Sequence, residues 1–193
     1  MDRSLGSLIR TSLTDPQAVA RELMAMNLGR DALWTGLGLI AVINTFLILL
    51  VLQIAPPTVE LPSYFDRPLV LFVLIAGLTV VFVHAMYWAG LSVGGQGSLM
   101  DVLAIVVWIQ VLRAMAQVAV LVLSLALPPL GALLSLVVAA WGLWIFLNLL
   151  TAALNLPSLW RAAAVLLIAG VGLVLGLGLL LGLIGGLARG VMS

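Results

Sequence analysis

The chain has 193 residues, of which 64% are hydrophobic and 8% are charged, and its formal net charge is +1. Soluble domains contain about 25% charged residues, so this composition excludes a water-soluble globular fold. The absence of cysteine and the single histidine argue against a disulfide framework, thiol chemistry and a metal site. The small net charge gives no reason to expect nucleic acid as a partner.

Residues 1–32 are predicted to form a cytoplasmic or interfacial amphipathic segment with two short helices. Asp15 followed by Pro16 is typical of an N-cap and a first helical position, so the second helix is expected to begin there. Its apolar stripe is predicted at Val19, Ala20, Leu23 and Met24. Two arrangements stay open, because such helices can lie in the membrane interface or pack on the cytoplasmic face of the bundle.

Residues 33–187 contain five apolar runs, each long enough to cross about 30 Å of hydrocarbon as a helix. Only helices and closed barrels satisfy their backbone hydrogen bonds in lipid, and these runs are continuous rather than alternating. The predicted fold is therefore all-α, a polytopic membrane helical bundle. The predicted spans cover residues 33–54, 68–92, 101–127, 130–154 and 159–187, followed by a short C-terminal tail at residues 188–193.

The distribution of arginine predicts the orientation of these spans. With the N-terminus inside, the cytoplasmic segments contain five arginines and the opposite side contains Arg67 and Arg189, as the positive-inside rule requires. All eight basic residues are arginine, a bias typical of GC-rich bacterial genomes. We therefore expect a bacterial inner membrane protein with a cytoplasmic N-terminus and, after five spans, a periplasmic C-terminus.

The third predicted span carries a charged residue, Arg113, near its centre. An arginine at mid-bilayer costs about 2.5–3.5 kcal/mol on insertion scales, so it should face the bundle interior or a wet cavity. If the third and fourth helices run antiparallel from the Pro128-Pro129 turn, Arg113 lies level with Trp144 and Gln110 with Asn148. A functional polar cavity is one hypothesis for the intramembrane polar residues, namely Asn44, His84, Gln110, Arg113, Gln117 and Asn148. The alternative is that they hydrogen-bond between helices and hold the bundle together.

No catalytic residue, metal ligand set or cofactor site is predicted. A lone His84 has no serine or orienting carboxylate assigned to it, and acid–base or metal constellations cannot be assembled from the few carboxylates. Asp101 has a structural explanation, because it can favour the start of the third span beside Ser98 as N-cap. We therefore expect a protein that is not an enzyme.

The glycines of the fifth span are predicted to serve helix packing. They form GxxxG pairs, which permit helices to approach closely, and the spacing leaves open whether the partner is in this chain or in a second copy. The predicted packing positions are Gly172, Gly176, Gly178, Gly182 and Gly186.

One pattern in the chain resembles bacterial members of the Yip (Ypt-interacting protein) family. The stretch Gly94-Gly95-Gln96-Gly97-Ser98 opens a span with a polar stripe, Trp108 follows ten residues later, and the Pro128-Pro129 turn ends that span. The resemblance covers about residues 16–185 and includes the five-helix plan and the cytoplasmic N-terminus.

The resemblance implies a non-enzymatic membrane protein that organises or remodels membrane, or acts as a scaffold, through protein or lipid contacts. Eukaryotic relatives are linked to small GTPases, but this chain lacks their long cytoplasmic arm, so that partnership is not carried over. Expected partners are membrane lipids and either a second copy or another membrane protein. The alternative is a small transporter or channel, with a polar cavity around Arg113 that attracts an anion.

Overall fold

The computed structural model describes residues 5–57 and 59–191, and these residues contain seven α-helices and no strand. Five of the helices contain a stretch long and apolar enough to cross a membrane, which confirms the predicted polytopic bundle. The helices are α1 Leu5–Thr14, α2 Pro16–Ala25, α3 Arg30–Ile54, α4 Pro68–Ser92, α5 Leu99–Ala126, α6 Pro128–Ala153 and α7 Leu159–Val191, with a 3-10 turn at Ser63–Asp66 before α4.

Local sequence signals set several helix starts. The carboxylate of Asp15 accepts a hydrogen bond from the backbone nitrogen of Ala18 at 3.0 Å, so the predicted N-cap of α2 is confirmed. At the start of α5, Ser98 Oγ accepts from the backbone nitrogen of Asp101 at 3.1 Å, and Asp101 Oδ2 accepts from the backbone nitrogen of Ser98 at 2.9 Å. This capping box satisfies two backbone donors that the helix itself cannot pair.

The C-terminal boundary differs from the predicted one. Helix α7 continues to Val191, so the predicted tail at residues 188–193 begins inside a helix, and residues 192 and 193 lie outside the described residues. The part of α7 that is apolar enough to span a membrane is Leu159–Leu179. A helix can outlast its hydrophobic stretch because hydrogen bonding within the helix does not depend on burial in lipid.

The five long helices pack in a ring with the spatial order α3, α4, α7, α6 and α5, which closes where α5 packs against α3. Only Leu127 separates α5 from α6, so these two helices form a tight antiparallel hairpin. A Cβ atom at Gly131 would overlap the backbone and hydroxyl of Ser124, which shows how closely the two helices approach beside the turn.

The two ends of the ring are packed differently. At the capped end, which comprises α1, α2, the starts of α3, α5 and α7 and the ends of α4 and α6, one continuous apolar core forms. Its fully buried side chains include Met86, Leu103, Ile105, Leu149, Leu150 and Leu154. At the opposite, open end, large apolar side chains such as Leu69, Leu125 and Leu136 point away from the protein, where a bilayer supplies acyl chains.

The two short N-terminal helices pack on the bundle. Helix α2 contacts α6 and α5, and its Val19 and Ala20 side chains are fully buried. These residues belong to the predicted apolar stripe, which explains why the stripe is covered by the α5–α6 face. Arg10 and Arg21 remain exposed on the outer side of the same helices.

Candidate functional site

The glycine-rich stretch before α5 is a close crossing of two connections at the capped end. Gly94 has a φ of +87°, a conformation that glycine adopts without strain. The backbone nitrogen of Gln96 donates to the carbonyl oxygen of Leu154 at 2.9 Å. A Cβ atom at Gly97 would overlap the carbonyl oxygen of Ala153. The stretch therefore needs small residues because the end of α6 lies directly against it.

Arg161 strengthens the same crossing from α7. Its Nη1 donates to the carbonyl oxygen of Val93 at 3.1 Å, at the C-terminal end of α4. A cation at a helix C-terminus is favoured by the helix dipole. The α4–α5 and α6–α7 connections are thus joined by one backbone and one side-chain hydrogen bond.

Three of the predicted intramembrane residues form a hydrogen-bonded chain between α3 and α5. The Nη2 atom of Arg113 donates to Asn44 Oδ1 at 3.2 Å, and Asn44 Nδ2 donates to Gln110 Oε1 at 2.9 Å. The Asn44 side chain is 1% exposed and uses both ends of its amide, so it connects the charged and the neutral residue of the α5 stripe.

The partner of Arg113 is an amide rather than the indole that the depth estimate predicted. Because Ala126 and Pro128 flank the turn, positions that sum to about 254 lie at equal depth, which puts Trp141 rather than Trp144 level with Arg113. Trp141 and Arg113 line the same groove. Gln110 likewise bonds to Asn44 and not to Asn148.

The other three predicted residues have different surroundings. His84 Nδ1 lies 2.8 Å from the carbonyl oxygen of Val80 in its own helix, and the ring stacks on Trp34 at a centroid distance of 6.4 Å. Asn148 Oδ1 accepts from Gln17 Nε2 at 2.9 Å. Gln117 lines a groove beside Arg113. The six residues therefore do not converge on one cavity.

Two cavities meet at Arg113. The larger, of about 910 Å³, is a groove between α5 and α6 that α1 closes at one end, and we name it the α5–α6 groove. Its walls are mostly apolar, and they include Ile9, Leu13, Arg113, Gln117, Ser135 and Trp141. The smaller, of about 530 Å³, lies among α3, α4, α5, α6 and α7, with Gln110, Arg113 and Thr79 as its polar members.

Two long-range hydrogen bonds attach the N-terminal helices to the bundle, and the sequence analysis missed both. Trp108 Nε1 donates to Ser12 Oγ at 2.9 Å, and Gln17 Nε2 donates to Asn148 Oδ1 at 2.9 Å. Ser12 is fully buried and also donates to its own helix. The signal that could have found them was Trp108, since a buried indole N–H usually requires an acceptor.

The predicted packing glycines of α7 have no close neighbour within this chain. A Cβ atom at Gly172, Gly176, Gly178 or Gly182 would meet no atom within 4 Å, and the surroundings of Gly186 lie outside the described residues. Packing of this face against another molecule stays a prediction. Within the described part of the chain, no group of three or more His, Cys, Asp or Glu side chains could hold a metal ion.

Comparison with known proteins identifies the family. A family model described as the Yip1 domain matches residues 10–181, which include part of α1, all of α2 to α6 and the membrane-spanning part of α7. No curated protein and no solved structure matches the chain. Because the match covers most of the sequence and includes the packed N-terminal helices, the chain belongs to the Yip1 domain family.

Proposed function

We propose that this Yip-family protein organises or remodels a membrane without enzymatic activity, by inserting its α1–α2 pair into one leaflet. The proposed setting is a bacterial inner membrane, with the N-terminus in the cytoplasm and the C-terminus in the periplasm. Membrane lipids are the first partners. The glycine face of α7 is the proposed contact for a second copy.

The observation that carries the proposal is the position of the two hydrogen bonds that hold α1 and α2. Trp108 lies nine positions after Leu99, about 14 Å along α5, and Asn148 lies five positions before Ala153, about 8 Å from the end of α6. The spanning helices exceed about 30 Å of hydrocarbon by roughly 5 Å at each end. The two bonds are therefore expected within one leaflet, at the depth where amphipathic helices insert.

The chemistry of the outer face of α1 and α2 agrees with this placement. Leu5 is 68% exposed and Leu13 is 47% exposed, so both are available to acyl chains. Arg10 and Arg21 are exposed and can pair with lipid phosphates. Seven helices occupy one leaflet and five occupy the other, and such an asymmetric cross-section favours curved membrane.

The alternative of transport around Arg113 has less support. Arg113 borders two cavities, but both are walled mainly by aliphatic side chains, such as Ile109, Val138 and Leu173. A pathway for a hydrated anion needs polar groups along its length. These walls suit lipid chains or a partner helix better.

The experiment compares two arginine substitutions in α2. Val19→Arg places a charge at a fully buried contact and should release α2 from the bundle, whereas Ala25→Arg adds the same charge at an exposed position. Each labelled protein is reconstituted into vesicles of mixed size, and its density is measured as a function of vesicle diameter. We expect enrichment in small vesicles for the native protein and Ala25→Arg, and loss of it for Val19→Arg. Equal enrichment for all three would contradict the proposal.

A further inference from the structure

The α5–α6 groove contains two polar side chains whose hydrogen-bonding capacity is largely unused. A guanidinium has five N–H donors, and among residues 5–57 and 59–191 the one hydrogen-bond partner of Arg113 is Asn44. Gln117, one helical turn further along α5, has no hydrogen-bond partner within the same described ranges. Both side chains line the groove. The groove therefore offers several free donors at one place.

These donors lie at the middle of the membrane. Arg113 is 14 positions after Leu99 and 13 positions before Ala126, so it is about 20 Å from either end of α5. A polar group that faces hydrocarbon without a partner is costly, and intramembrane charges accordingly pair with one another or with backbone carbonyls. An acceptor from outside the chain would remove that cost.

The depth of Arg113 selects the kind of acceptor. A carboxylate can accept from a guanidinium and an amide together, and the charge complements that of Arg113. The phosphate of a lipid is held at the interface, roughly 15 Å from the midplane of the hydrocarbon. A transmembrane helix can carry a carboxylate at any depth. The acidic residues of this chain lie before residue 32, between residues 60 and 66, and at residue 101, so a second copy cannot supply one at mid-span.

We propose that the α5–α6 groove binds a transmembrane helix of another protein, whose aspartate or glutamate near mid-span pairs with Arg113. Apolar side chains along the groove would pack against that helix on both sides of the ion pair. Gly142 in its wall has open space where a Cβ atom would stand, with no atom within 4 Å, which leaves room for the close approach that small residues permit. This proposal does not depend on leaflet insertion by α1 and α2.

The test uses the absence of cysteine from the chain. Ser135→Cys places a thiol in the groove, and Val73→Cys places one on α4 at a position that is 58% exposed. Each variant is reconstituted in phosphatidylcholine vesicles with synthetic Leu/Ala transmembrane peptides that contain one cysteine, placed at a series of positions, and a central Glu, Gln or Leu. A fourth peptide carries its Glu seven residues away, about 10 Å closer to the surface.

Disulfide formation is the readout, because it requires close approach of the two backbones. We expect the central Glu peptide to cross-link to Ser135→Cys about tenfold faster than the Leu peptide, and no such preference at Val73→Cys. The displaced Glu should lose most of the advantage. Adding Arg113→Gln should reduce the Glu peptide to the rate of the Leu peptide, and Arg113→Lys should retain most of the preference.

Equal rates for the Glu and Leu peptides in the native Arg113 background would overturn the proposal, and this comparison holds even if Arg113→Gln fails to fold. An unchanged preference in folded Arg113→Gln would overturn it as well. A photoreactive fatty acid that labels the groove only when Arg113 is present, without any advantage for the Glu peptide, would identify a lipid site and also contradict the proposal.

Discussion

The capped and open ends of this bundle are equally apolar in sequence, yet only the capped end forms a continuous core. The capped end has a glycine crossing at Gly97, two hydrogen bonds to the N-terminal helices, and fully buried leucines such as Leu149 and Leu150. At the open end, the close approach of Gly131 to Ser124 joins α5 to α6.

This difference shows what determines packing in a membrane helix bundle. Lipid is as apolar as leucine, so burying one more apolar side chain between helices gains little. Small residues that allow close approach and polar groups that bond across helices decide where a core forms. The capped end has both features, and the predictions below test how far they account for its stability.

The largest expected effect is the loss of a buried leucine at the capped end. Leu149→Ala removes a side chain that is 0% exposed and should lower the free energy of unfolding by about 3 kcal/mol. The matched change at the open end is Leu136→Ala, where the side chain is 68% exposed and the cost should stay below about 0.5 kcal/mol. Denaturant unfolding in detergent measures both, and similar losses would contradict the comparison.

The glycine crossing should be the next most sensitive feature. Gly97→Ala places a Cβ atom against the carbonyl oxygen of Ala153, which is backbone and cannot rotate away, so we expect a loss of about 2 kcal/mol. Gly77→Ala in α4 meets no atom within 4 Å and should be neutral or stabilising by about 0.5–1 kcal/mol. If both alanines behaved alike in thermal unfolding, the crossing would not be a packing constraint.

The polar chain at mid-span should have an intermediate effect. Asn44→Leu leaves Arg113 and Gln110 without their partner, at a cost of about 1–2 kcal/mol in unfolding free energy. Thr45→Val removes a neighbouring hydroxyl that bonds within α3 and should cost less than about 0.5 kcal/mol. A smaller loss for Asn44→Leu than for Thr45→Val would show that the chain does not stabilise the bundle.

The smallest expected effect on stability is that of the α1 anchor. Trp108→Phe keeps an aromatic ring but removes the donor to Ser12, so it should cost about 1 kcal/mol and increase hydrogen exchange in residues 5–14. Trp160→Phe is a control at the same end, because Trp160 is 86% exposed. Unchanged exchange in α1 after Trp108→Phe would mean that apolar contacts alone hold this helix.

Much of the fold could be predicted because its signals are local. Hydropathy and length predicted five spans, and the caps at Asp15 and Ser98 follow from hydrogen bonds within three residues. The contacts between helices could not be predicted in the same way. Equal rise per residue gives depth, but the rotation and tilt of each helix decide which side chains meet.

The partners of two polar residues show that limit. Asn44 could be assigned to the bundle interior, but its bonds to both Arg113 and Gln110 depend on how α3 is rotated against α5. Asn148 was grouped with them by depth, yet it faces outward to Gln17 in α2. An N-terminal helix docked on that side had no equivalent in the depth argument.

Water accessibility of Leu13 tests the central claim most directly, that α1 and α2 insert in one leaflet. Leu13 is 47% exposed in the protein, so only lipid can shield it from water. In vesicles, Leu13→Cys should react with a membrane-impermeant maleimide at least about tenfold more slowly than Val59→Cys in the α3–α4 connection, when reagent is supplied on both sides. Equal rates at the two cysteines would show that α1 lies in water, and would contradict the account.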